Sequence, residues 1–213
     1  MTAEGHILLL GDSITHTMDP NTFKGKTKYS VTMPGREKKH LRCYTTKTGS
    51  RFPSANYYNN TDYIINKYKP RILVLQASTN DISDIGRQYN REWRTQVEQA
   101  KNSSRDIISL AEECIYRWKI LERIVIVARP PRIDQYRNLR DIANDELYRS
   151  KYGNEPYYKQ ITIASHWMPY NTVGLFGHSN QADGIHLKGK NGQEALTNSF
   201  LRIFEENNLT ERY

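Results

Sequence analysis

The sequence predicts an α/β fold: a three-layer sandwich with a central five-stranded parallel sheet. Three observations carry that reading. Strand-length apolar runs alternate along the chain with stretches of helical period. The apolar runs are continuous rather than alternating, as strands buried on both faces require. A length of 213 residues is enough for one domain with a proper core and short for two. Residues 1–213 are therefore read as a single domain, with no linker, internal repeat or low-complexity tract.

Ile7–Leu10 is the first expected strand, closed by Gly11-Asp12-Ser13. Leu41–Thr46 is read as the second, ending in Lys47-Thr48-Gly49-Ser50. A helix running through Tyr63–Tyr68 is ended by Lys69-Pro70, because proline disfavours helical geometry in the residue before it. Ile72–Ala77 then forms the third strand. Trp93, Val97, Ala100, Ser104, Ile107, Ala111, Cys114 and Trp118 follow in steps of three and four, one stripe of a long helix. Ile124–Ala128 is the fourth strand, stopped by Pro130-Pro131. Leu139, Ile142, Ala143 and Leu147 mark a shorter amphipathic helix with Gly153 as its stop. Ile161–Ala164 is the fifth strand, and Ala195, Phe200, Ile203 and Phe204 mark a C-terminal helix.

Composition excludes several classes. No run approaches the roughly 18–20 apolar residues that cross a bilayer, so no membrane span is expected. Residues Met1–His6 carry neither a basic start nor a long apolar stretch, so no secretory signal is read there. Cys43 and Cys114 stand alone, which excludes a disulfide scaffold or a zinc finger and fits a reducing, intracellular (cytoplasmic or nuclear) setting. His6, His16, His40, His166 and His178 show no HxH or HxxxH spacing; no metal or other cofactor is expected.

In open parallel sheets, reactive groups gather beyond the carboxyl ends of the strands. Gly11-Asp12-Ser13, Gly49-Ser50 and Ser78-Thr79-Asn80-Asp81 all fall at such ends, and Asp183-Gly184-Ile185-His186 precedes the last helix. Acyl transfer needs a nucleophile, a base, a group that orients the base, and donors for the oxyanion. Ser13, opening a turn after a strand, suits the nucleophile. His186 suits the base, and Asp183, three residues earlier, can hold its second ring nitrogen. The Ser13 and Gly49 backbone N–H groups and the Asn80 amide would form the oxyanion hole. Gly49 suits that place because a missing Cβ lets an oxygen approach the backbone. Each block also has a plain reading by itself: Ser13 as a helix N-cap, Gly49 as a turn glycine, Asn80-Asp81 as a cap, and Asp183-Gly184 as a turn with His186 exposed.

Taken together, the four blocks resemble the SGNH (GDSL-type) hydrolase family, named for Ser, Gly, Asn and His in separated blocks. They run in family order from Gly11 to the helix after His186. The resemblance implies an SGNH hydrolase (flavodoxin-like) fold and carboxylic-ester hydrolysis through an acyl-enzyme. It does not choose among acetyl-sugar, phospholipid and small-ester substrates. The chain shows no long apolar lid to cradle a fatty chain, which favours a short acyl group such as acetyl. One departure stands out. The third block usually reads Gly-x-Asn, and here it reads Ser78-Thr79-Asn80. The added Cβ either narrows the pocket or marks a site relaxed in function.

Charge points to a second partner class. Nine of the 31 basic residues and one of the 23 acidic residues lie between Lys24 and Arg51, leaving 22 of each elsewhere. The whole net charge of +8 therefore belongs to that segment. With Tyr29 and Tyr44 interleaved, it could track the phosphates of RNA or DNA, with Lys38, Lys39 and Arg42 at its centre. The other reading is a solvated basic loop. The final third also resembles the branch of the family encoded by mobile elements such as retrotransposons, which pairs esterase and nucleic-acid-binding parts.

Overall fold

The computed structural model describes residues 5–16, 18–19, 21–33, 65–76, 78–88, 90–152, 159–164 and 183–210. Five strands form one sheet: β1 (His6–Leu10), β2 (Ser30–Thr32), β3 (Ile72–Gln76), β4 (Arg123–Val127) and β5 (Ile161–Ala164), in the order β2-β1-β3-β4-β5. Every pairing is parallel. Helices among the described residues include α1 (Ser13–His16), α2 (Thr79–Gly86), α3 (Trp93–Arg117), α4 (Arg137–Tyr152) and α5 (Gly189–Glu206).

Because successive strand residues face opposite sides, each apolar run supplies two cores. Leu8, Leu10, Leu73, Leu75, Ile124 and Ile126 pack on one face against Ile107, Ile108, Ala111 and Cys114 of α3. Ile7, Leu9, Val74, Val125 and Val127 pack on the other against Leu196, Phe200, Ile203 and Phe204 of α5. Phe23 stacks on Phe204 there, with ring centroids 4.2 Å apart. The three-layer sandwich follows from burying both faces at once.

Four of the five expected strands are present at their expected places. Leu41–Thr46 lies outside the described residues, and the strand paired with β1 is Ser30–Thr32. That strand escapes apolar patterning because it is three residues long, polar at both ends and at the sheet edge, where short strands are favoured. The helix read through Tyr63–Tyr68 is described from residue 65 and ends at Lys69, whose φ is 46°. Helix α2 is an added element, eight residues long and too short to show a clear period. Trp93 corrects the long stripe: it is 54% exposed rather than buried. A 25-residue helix is about 37 Å long, whereas a five-residue strand spans about 17 Å. The first turn of α3 therefore overshoots the sheet, and its buried face starts near Val97 and Ala100.

Candidate active site

The carboxyl ends of β1, β3 and β4 carry the polar groups. After β1, Gly11 packs so tightly under Thr15 that an added Cβ would lie 2.3 Å from the threonine side chain. This explains the glycine of the first block: it lets α1 start directly on the strand end. Asp12 is buried, accepting from the Ile14 N–H at 2.9 Å and from Gln76 Nε2 at 2.9 Å. Gln76 Oε1 in turn accepts from the Thr15 hydroxyl at 2.7 Å. Burial pushes the Asp12 carboxyl up, outweighing the bonds from Gln76, Ile14 and Thr79 and the charge of His186. Asp12 thus ties the first block to β3 and lies within electrostatic reach of His186. Ser13, the next residue, is the first of α1.

Asp183 and His186 form a self-contained turn. Asp183 Oδ1 accepts the backbone N–H groups of Ile185 at 3.0 Å and His186 at 2.8 Å. Its Oδ2 lies 2.6 Å from His186 Nδ1 and 3.6 Å from Lys188 Nζ. Partial burial raises the carboxyl, but the His186 N–H, its imidazole and the Ile185 N–H outweigh that and hold Asp183 well below the usual carboxylate range. An ionised carboxylate can only accept, so the Nδ1 facing it carries a proton. The neutral imidazole then keeps its lone pair on Nε2, the atom a general base uses. Gly184 makes the turn possible: its φ is 76°, and a Cβ there would sit 2.9 Å from Asp134 Cβ.

The third block is built differently. Ser78 adopts φ 77°, ψ 11° and precedes α2 without capping it through its side chain. A left-handed residue bearing a Cβ costs about 1–2 kcal/mol, a cost that a glycine at this place would avoid. Asn80 and Asp81 follow in the first turn of α2, where Asp81 is buried and favoured by the helix dipole.

Around Ser78 stands a network anchored by a charge that sequence patterning did not single out. Arg129, two residues after the end of β4, is 1% exposed. Its Nη2 donates to Ser78 Oγ and Ser103 Oγ, each at 2.8 Å, and its Nη1 to Ser104 Oγ at 2.9 Å. Its Nε reaches the Ser78 carbonyl at 3.4 Å. Burial pushes this guanidinium down to about 10, with Asp81 opposing and Arg140 adding to the shift. Arg132, equally buried, makes a two-pronged pair with Asp134 and donates to Ser83 Oγ at 2.9 Å and the Thr79 carbonyl at 3.4 Å. The Ile133 N–H closes the circuit by donating to the Gly184 carbonyl at 2.9 Å. One signal was in the sequence: Arg-Pro-Pro-Arg follows an apolar central strand, where two arginines must either leave the core or be fully bonded within it.

Of the residues singled out in the sequence, Ser13, Asn80, Asp183 and His186 all belong to segments interlocked by these bonds. Gly49, Lys38, Lys39 and Arg42 lie outside the described residues. Among the described residues, no helix is long and apolar enough to cross a membrane.

No protein-family model and no curated protein matches the chain. Solved structures do. A lipase/acylhydrolase from Enterococcus faecalis aligns over 98% of both chains, with TM-score 0.53 and 15% identity. Axe2, an acetylxylan esterase from Geobacillus stearothermophilus, aligns over 94% of both chains, with TM-score 0.52 and 14% identity. LAE5, an alpha/beta hydrolase enzyme from the metagenome of Lake Arreo, Spain, covers 96% of this chain and 97% of its own, with TM-score 0.51 and 15% identity. The chain therefore shares the flavodoxin-like α/β fold of these proteins. At such identities the likeness is one of fold, and the chemistry rests on the residues.

Proposed function

We propose that this protein is a carboxylic ester hydrolase acting on short acyl groups, through Ser13, His186 and Asp183. The observation that carries this reading is the Asp183–His186 turn. Its carboxylate orients the imidazole with Nε2 as the base atom, on a segment whose charge is felt by the residue preceding Ser13. In the reaction, Ser13 Oγ attacks the acyl carbonyl while His186 Nε2 takes its proton. The oxyanion would be received by the Ser13 and Gly49 N–H groups and the Asn80 amide. Collapse of this intermediate expels the alcohol, which takes the proton back from His186, and leaves an acyl-serine. Water then repeats the sequence and releases the acid. The esterase and lipase neighbours, which share this fold, support the reaction class. The test is turnover of p-nitrophenyl acetate beside longer-chain esters. Acetate should be preferred, and Ser13→Ala should abolish turnover without unfolding the protein. Wild-type turnover in Ser13→Ala would remove the nucleophile assignment.

The charge distribution favours a second, compatible activity: sequence-independent binding of RNA or DNA through Lys24–Arg51, which carries the entire net charge of +8. With about four cations on a single strand, log affinity should fall against log salt with a slope of about −3. Neutralising Lys38, Lys39 and Arg42 together should flatten that slope and leave ester turnover in place. Lack of binding at low salt would leave a solvated loop.

A further inference from the structure

The usual glycine of the third block is absent, yet the left-handed backbone it would allow is present. Ser78 holds φ 77°, two residues before Asn80. Two groups hold it there: the Ile82 N–H of α2, which donates to the Ser78 carbonyl at 3.4 Å, and the Arg129 guanidinium. It binds both the Ser78 side chain, at 2.8 Å, and the Ser78 carbonyl, at 3.4 Å. Its remaining N–H groups are spent on Ser103 and Ser104 of α3 and, at 3.5 Å, on Asn144 of α4. The Arg129 backbone is fixed as well: its carbonyl accepts from Arg140 Nη2 at 2.7 Å and Asn144 Nδ2 at 3.1 Å, and its N–H donates to Asn144 Oδ1 at 3.1 Å. Every donor of the guanidinium meets a neutral oxygen of the protein, and the buried Asp81 carboxylate supplies the opposing charge, so no anionic ligand is needed to explain its burial.

We propose that Arg129 is a positioning residue for ester hydrolysis, which tethers Ser78 in the left-handed conformation and so sets the place of the Asn80 oxyanion donor. Serine at this position is then no relic of a decayed site. Its hydroxyl is the handle by which the tether grips the backbone, replacing the conformational freedom of glycine with a bond. The inference rests on the esterase reading and deepens it.

The experiment compares kcat and KM for p-nitrophenyl acetate in wild type, Arg129→Lys and Arg129→Lys combined with Ser78→Gly, with Ser13→Ala as the reference for Ser13-dependent turnover. Lysine keeps the charge but cannot span Ser78, Ser103 and Ser104 at once. Arg129→Lys should lower kcat about tenfold to a hundredfold while KM moves by no more than about twofold, since the lost interaction matters in the transition state. Adding Ser78→Gly should restore most of kcat, because glycine holds a positive φ untethered. Ser13-dependent turnover that ignores Arg129→Lys would overturn the inference and leave the esterase reading standing. So would a loss that Ser78→Gly does not restore, which would make Arg129 a core residue only. Where Arg129→Lys does not fold, Ser78→Ala reads the same tether: it keeps the Cβ and loses the handle, so its kcat should fall below that of Ser78→Gly. The reverse order would overturn the inference. Absence of any Ser13-dependent turnover in wild type would remove the esterase reading, and this inference with it.

Discussion

The two sides of the proposed site are held by opposite means. On the base side, Asp183 and His186 are three residues apart and bind each other, and their side chains are 38% and 27% exposed. On the oxyanion side, Ser78, two residues before Asn80, is held by Arg129 through buried bonds that join residues 51 and 26 positions apart. A local turn can form wherever the chain places Asp-Gly-x-His, and it needs little support. A side-chain donor aimed at a developing charge needs a backbone frame that does not relax, and a low-dielectric interior supplies one. The loop between β4 and α4 serves both sides. Arg132 holds α2 while the next residue, Ile133, holds the Gly184 carbonyl, so one short stretch ties α2 to the Asp183–His186 turn.

If the base side works through its tautomer, Asp183→Asn should give the larger loss, on the order of 10³–10⁴ in kcat. Asparagine can still accept the two backbone bonds through its carbonyl oxygen. Its amide would then face Nδ1 as a donor and push the ring proton to Nε2, so the turn survives and the base does not. Circular dichroism and kcat measured together check this; an unchanged kcat would break the assignment. On the oxyanion side, Asn80→Ala should cost about 10²–10³ in kcat, or about 2.7–4 kcal/mol, with KM little altered. A loss confined to KM would place Asn80 in substrate binding instead.

The smallest effect concerns acid stability. Asp183 is held below its ordinary value of 3.8, so its contribution to stability is present above that pH. It is lost as pH falls from there through the folded-state value. Wild type should therefore lose stability more steeply than Asp183→Asn below that point, by an amount that shrinks in salt because the pair is solvent-screened. Denaturant titrations across the acid range read the difference. Parallel curves would show that the turn contributes nothing to the folded state. Asp12 has the opposite sign: its carboxyl is raised by burial, so the stability it contributes is present at low pH and lost as pH rises through its folded value.

Much of the sheet was legible because a strand buried on both faces must be apolar at every position. Ile7–Leu10 and Ile72–Leu75 announce themselves in that way. Ser30–Thr32 did not, since an edge strand of three residues has only one partner and little to bury. Trp93 misled because its spacing fits the stripe, while its burial depends on how far α3 extends past the sheet. The Ser13 and Asn80 blocks were singled out from residue type and their place at strand ends, and the Asp183–His186 block from its place before the last helix. The Asp183–His186 bond needed only the three-residue spacing.

By itself, the sequence determined what depends on neighbours along the chain: the apolar strands, helix faces, the Asp183–His186 turn, and the concentration of charge between Lys24 and Arg51. Only the tertiary structure decided what Ser78 means. A serine in place of glycine reads in sequence as damage or as a narrower pocket. It becomes a tethered backbone once β3, α3 and β4 have packed, because the arginine that grips it lies 51 residues away and the serines that complete the grip lie on a third element. Periodicity encodes which face of an element is buried; which buried polar groups will meet is fixed only when the layers close, since each must then find a partner or bear the cost of desolvation.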